Sequence, residues 1–196
     1  MPITPFHLLV ITPVKAIAPR KFSWAVFALV NVLIDIEPIT YFLITLNPEH
    51  LFFHTIIGAT LIAVLAAVYG RRFCEVAIGI WNAEIKSNWL IADVSISKVA
   101  AWSGALIGAW SHLLLDSFMH DDIKPLSPFT ESNVLLGILP ISTLHTICVS
   151  TGFIGLLAML FLKSKSSSRI KPNQRRVNKN KIWSNLHPIL ILKLIT

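Results

Sequence analysis

Ser23-Trp-Ala-Val-Phe-Ala-Leu-Val-Asn31-Val-Leu-Ile-Asp35-Ile-Glu37-Pro38-Ile-Thr-Tyr-Phe-Leu-Ile-Thr-Leu46 decides how this chain is read. The stretch meets the roughly 17–25 residues that a helix needs to cross a hydrocarbon core. It holds no Lys or Arg, yet two carboxylates sit inside it. It shows no alternation of period two, which argues against a barrel strand. Three further apolar runs follow, at Phe52–Gly70, Val99–Phe118 and Val134–Leu162. The last is long enough to tilt, break or emerge at one end. Only 14% of the chain is charged, against about 25% in soluble domains, and 54% is hydrophobic. These features predict an all-α integral membrane protein: a four-helix bundle over residues 1–162, followed by a basic tail over 163–196.

Orientation follows from the basic residues, which favour the cytoplasmic side. Lys15, Arg20 and Lys21 precede the first span, and Arg71, Arg72, Lys86 and Lys98 lie between the second and third. Nine more follow Leu162, and only Lys124 falls on the other side. The N-terminal cluster, the middle segment and the C-terminus are therefore expected in the cytoplasm, in a multi-pass membrane protein. The net charge of +7 reads as this topology signal, and no nucleic-acid partner is expected. The middle segment, with Trp81 and Trp89, is expected along the membrane interface. The tail, rich in Lys, Arg, Ser and Asn, reads as disordered, and Leu186–Ile195 as a stretch too short to span that dips into the interface. Residues 1–19 are apolar but carry Pro2, Pro5, Pro13 and Pro19. They suit a re-entrant N-terminal segment buried in protein, because unpaired backbone groups cannot face lipid. A cleaved signal fits less well, since Lys15 stands where such a signal has no charge. Cys74 and Cys148 suggest neither a disulfide nor a metal motif.

Against this background the ionisable residues inside the apolar stretches stand out: His7, Asp35, Glu37, His54, His112, Asp116 and His145. Counted to Lys21, Arg71, Lys98 or Lys163, all but Glu37 lie 14 to 18 residues from a basic cluster, or roughly 21–27 Å along a helix rising 1.5 Å per residue. They are thus expected to meet in one layer towards the opposite face. Ionisable groups at such depth are costly and are read as functional. Asn31 and Asp35 share a helix face. Pro38 is expected to break that helix, letting Asp35 and Glu37 both turn inward. His112, Asp116 and His120 form one stripe at i, i+4 and i+8, with His112 and Asp116 able to serve one metal. His and carboxylate together are ligands for a divalent metal such as zinc, manganese or magnesium.

The order of these motifs resembles the YdjM-like, LexA-regulated inner-membrane proteins described as metal-dependent hydrolases. Pro5-Phe6-His7 sits at the place of that family's N-terminal His. Ile34-Asp35-Ile36-Glu37-Pro38 is similar to its acidic motif, with Glu for the second Asp. Phe53-His54-Thr55 matches the end of its His box, whose first His falls at Glu49, with His50 one place off and the Arg-Gly missing. Ser111-His112-Leu-Leu-Leu-Asp116 resembles its last motif helix, and Ile123-Lys124-Pro125-Leu126-Ser127-Pro128 the loop after it. The resemblance implies a metal site.

The combined expectation is a membrane-bound hydrolase. His7, Asp35, His54, His112 and Asp116 hold one or two divalent cations, and Asp35 and Glu37 carry the catalysis. Asn31, Glu49, His50, His120 and His145 stand behind them. The expected substrate is an ester or phosphoester of an amphiphile, with membrane lipids as surroundings. A proton or metal-ion transporter, using the same groups as a relay, and a non-catalytic membrane protein with a structural metal are the alternatives.

Overall fold

The computed structural model describes residues 5–47, 49–85 and 92–167. The tail expected to be disordered begins at Lys163, but residues 163–167 continue the last helix; the rest of it, with the Leu186–Ile195 segment, and Trp89 lie outside the described residues. The chain divides into two compact units, Met1–Leu157 and Ala158–Thr196. Every candidate site residue lies in the first.

The described residues contain helices and turns and no strand. Two short helices, α1 (Pro5–Val10) and α2 (Thr12–Ile17), precede α3 (Trp24–Thr45). A single 3-10 turn at Phe52–His54 leads into α4 (Ile56–Leu65), which passes through a π turn at Ala66–Gly70 into α5 (Arg71–Glu84). Then come α6 (Lys98–Ser117) and α7 (Ile141–Ser167). The starts of α3, α4 and α6 are capped by side chains that accept a backbone N–H: Ser23 from Val26, Thr55 from Gly58 and Ser97 from Ala100. Each satisfies one of the donors a helix start leaves unpaired.

Among the described residues, three helical stretches are long and apolar enough to cross a membrane: Trp24–Thr45, Ile56–Glu84 and Ile141–Leu162. Two boundaries depart from the sequence expectation. The second apolar stretch runs as helix to Glu84, well past Gly70. The last helix starts at Ile141, because Gly137 at φ +73° and Pro140 keep the preceding residues in turns. The expected break at Pro38 does not occur either: α3 continues through it to Thr45.

Helix α6 is less apolar because it is the helix most enclosed by protein. Ala100, Ala101, Gly104, Ala105, Gly108, Ala109, His112, Leu113 and Asp116 are all buried along it. Its Gly104 and Gly108 let α3 approach closely, the device that packs helices where lipid supplies no hydrophobic drive. A Cβ on Gly104 would fall 2.4 Å from the Ser23 carbonyl oxygen, and one on Gly108 3.2 Å from that of Phe27. Ser23 N–H also donates to Ala100 O at 3.0 Å. On α3 the buried stripe is Phe27, Asn31, Ile34 and Pro38, while Val32, Ile36, Ile39 and Leu43 are exposed. That exposed apolar stripe suits a lipid-facing surface.

The segment after α3 folds over the bundle end. Gly58 is required here, since a Cβ would lie 1.9 Å from Phe52 O. On the other side, Ile56 N–H donates to Pro125 O at 2.8 Å. The α1–α2 segment packs on α7, where Gly152 and Gly155 make room for Leu9 and Thr12.

Candidate metal centre

The close approach of α3 and α6 sets Asn31 and Asp35 opposite His112 and Asp116. His112 is fully buried, and its Nδ1 lies 2.9 Å from Asn31 Oδ1. Asn31 is itself fixed, because its Nδ2 donates to Phe27 O at 2.8 Å. Its Oδ1 can only accept, so His112 Nδ1 must carry the proton. His7 Nδ1, 3.2 Å away, is a second acceptor for that N–H. His7 Nε2 then donates towards Asp116 Oδ1 at 3.1 Å.

This tautomer leaves the lone pair of His112 Nε2 facing two carboxylates, Asp35 Oδ1 at 3.2 Å and Asp116 Oδ2 at 3.1 Å. His54 enters from the 3-10 turn, with Nε2 3.5 Å from Asp116 Oδ2 and 3.9 Å from Asp35 Oδ1. Despite this proximity, His112 Nε2 and both nitrogens of His54 have no hydrogen-bond partner. Buried polar groups are otherwise paired almost without exception. A lone pair crowded by carboxylates is repulsive unless a cation lies between them.

Asp35, His54, His112 and Asp116 each offer one ligand atom, and the four atoms lie within 4.8 Å of one another. A metal with bonds of about 2.0–2.2 Å sets neighbouring ligands roughly 3–3.6 Å apart. The separations of 3.1, 3.2 and 3.5 Å fall in that range and the 3.9 Å between His54 Nε2 and Asp35 Oδ1 lies just outside it, while the donor set of two imidazoles and two carboxylates suits such an ion. His54, His112 and Asp116 are sealed, whereas the side chains of Asp35 and Glu37 remain 18% and 15% exposed. The site therefore opens on the Asp35–Glu37 side.

Asp35 and Glu37 both reach His54 without a broken helix. They address opposite edges of one imidazole: Asp35 faces Nε2, and Glu37 Oε2 lies 3.8 Å from Nδ1. Glu37 Oε2 also accepts the backbone N–H groups of Leu51 at 3.2 Å and Phe53 at 2.8 Å. It thereby holds the segment that carries His54.

A second group adjoins the first. His50, His120 and Asp122 offer three ligand atoms within 4.8 Å of one another. The rings of His50 and His54 meet edge-on with centroids 4.5 Å apart. Burial would raise the Asp122 carboxyl, but the His50 N–H and imidazole outweigh it and hold it below the usual carboxylate range. Burial pushes His120 down, opposed by the charges of Asp116 and Asp122.

Of the remaining expected residues, Glu49 lies within hydrogen-bonding reach of the Tyr41 phenol. His145 is on α7 and belongs to neither group. His7 joins neither four nor three, and touches the centre through Asp116 and His112. The glycine pair of α6, which brings the two motif helices together, was legible as Gly104-x-x-x-Gly108 but was not read from the sequence.

The family model for the YdjM inner membrane protein matches residues 8–177, which include every residue of both groups. The chain belongs to the YdjM inner membrane protein family. Membership and the three apolar helices together mark it as a membrane protein. No curated protein and no solved structure matches the chain. Within the YdjM match fall Asp35, His54, His112 and Asp116, while His7 stands one residue before it.

Proposed function

We propose that this YdjM-family chain is a membrane-embedded, metal-dependent hydrolase of ester or phosphoester bonds in an amphiphilic substrate. The observation that carries the reading is the set of buried, unpaired imidazole nitrogens on His54 and His112, set against Asp35 and Asp116. These four residues would hold a divalent cation such as zinc, manganese or magnesium. When bound, such an ion polarises the scissile group and makes bound water acidic near neutral pH.

The chain's own residues supply the rest. Asn31 fixes the ligating tautomer of His112. His7 steadies Asp116. Glu37, beside the open side of the site, is the base that takes a proton from water, while its Oε2 anchors the His54 segment. In the membrane, α6 spans together with the three apolar helical stretches and α1–α2 is the re-entrant segment, with the N-terminal basic cluster and the C-terminus in the cytoplasm. The site then lies towards the outer leaflet. The exposed apolar residues Ile36, Leu51 and Phe52 around its mouth suit sideways entry of a lipid-like substrate.

The test is hydrolysis by untagged protein in detergent, across phosphoester and carboxylic-ester amphiphiles. Activity should be lost with chelator and restored by metal. Glu37→Gln should lower turnover about 10²–10⁴-fold, as removal of a general base does, with metal content unchanged. A metal content unaffected by His112→Ala would overturn the ligand assignment. Liposome ion flux abolished by Asp116→Asn, without hydrolysis, would instead favour a transporter.

A further inference from the structure

The second group, His50, His120 and Asp122, uses none of the four residues assigned to the cation above. His50 is buried and doubly tied to Asp122: its backbone N–H donates to Oδ2 at 2.8 Å, and its Nδ1 lies 2.9 and 3.1 Å from Oδ2 and Oδ1. Such a pair alone would be a staple between the segment after α3 and the loop after α6. His120 does not fit that simple role. Its ring packs on His50 with centroids 4.5 Å apart and an interplanar angle of 40°, and it adds no hydrogen bond to the staple. Two imidazoles in tilted contact, with a carboxylate within ligand reach of both, are better accounted for by a shared cation than by packing.

We infer that His50, His120 and Asp122 form a second divalent-cation site, next to the first across the His50–His54 ring contact. The three ligand atoms lie within 4.8 Å of one another, so an adjustment of a few tenths of an ångström brings them inside the roughly 4.4 Å that two bonds of about 2.2 Å can span. The proton shared between His50 Nδ1 and Asp122 is the one such an ion displaces. The surroundings are already fixed. Asn133 Nδ2 donates to Ser117 O at 2.9 Å and His120 O at 3.3 Å, holding the loop that carries His120. Glu37 holds the strand of chain just beyond His50 through Leu51 and Phe53. Three protein ligands leave coordination positions open, the pattern of a site that meets water or substrate.

The experiment is equilibrium dialysis of untagged, full-length protein in detergent against buffered free Zn²⁺, with elemental analysis of bound zinc. Wild type should hold two equivalents. His120→Ala and Asp122→Asn should each hold one, and His112→Ala should lose the other. Thermal unfolding of the metal-free variants separates loss of a ligand from loss of the fold. His120→Ala that folds and binds as much zinc as wild type overturns the second site. A wild type that holds a single equivalent, lost only in His112→Ala, also overturns it while leaving the first site standing. If His120→Ala loses one equivalent and His112→Ala loses none, the first assignment fails and the second survives.

Discussion

Replacing Asn31 by Ala should weaken metal binding without touching a proposed ligand. Asn31 is fully buried and accepts from His112 Nδ1 at 2.9 Å. Without it, His112 keeps only His7 Nδ1 at 3.2 Å, and the tautomer with Nε2 free for metal loses its strongest support. Losing a hydrogen bond to a buried donor costs about 1–3 kcal/mol. Partners of this kind, removed from behind a ligating His, typically cost 10–100-fold in metal affinity. Every 1.4 kcal/mol is tenfold, so the two figures agree. Competition with a zinc chelator in detergent should therefore show a dissociation constant raised about 10–100-fold. Asn31→Asp retains an acceptor for the same N–H and should bind at least as tightly as wild type. Metal-free melting of both variants reports any loss of packing separately. If Asn31→Ala unfolds earlier yet binds zinc as wild type does, Asn31 is only packing between α3 and α6, and the tautomer reasoning is wrong.

Gly104→Leu should drive α6 away from α3, since even a Cβ would sit 2.4 Å from Ser23 O. A loss of about 1–3 kcal/mol or more is expected from overpacking, together with lost metal binding. A variant that melts normally and binds metal would refute the close approach. Gly58→Ala, whose Cβ would sit 1.9 Å from Phe52 O, should displace His54 and reduce metal content. Unchanged zinc stoichiometry would count against that corner. Asp122 is held below the usual carboxylate range, so its contribution is present above its unfolded value of about 3.9 and is lost as pH falls through the folded one. With chelator present, Asp122→Asn should melt below wild type at pH 7, and the gap should close under strong acid. A gap independent of pH would remove the His50–Asp122 pair as its source.

The sequence by itself determined the class of molecule, because long apolar runs with few charges leave little besides a helical membrane protein. It also marked the chemistry. Carboxylates and histidines inside those runs carry a desolvation cost that only a partner or a cation offsets, so Asp35, His112 and Asp116 were conspicuous, and His54 through the depth it shares with them. Helix ends were less legible. Pro38 was expected to break α3, but it removes only one backbone donor and the helix continues. The residues from 134 to 140 were apolar enough to read as helix, although Gly137 and Pro140 hold them in turns. The tertiary structure decided which groups meet. The glycines of α6 had to bring α3 close before Asn31 could set the proton on His112. His54 had to swing in on a turn anchored by Glu37 before one imidazole could face both Asp35 and Glu37. The grouping of His50, His120 and Asp122 came only from two loops folding together over the bundle end. Periodicity records which face of a helix a residue occupies, but proximity between distant segments depends on how closely their backbones pack.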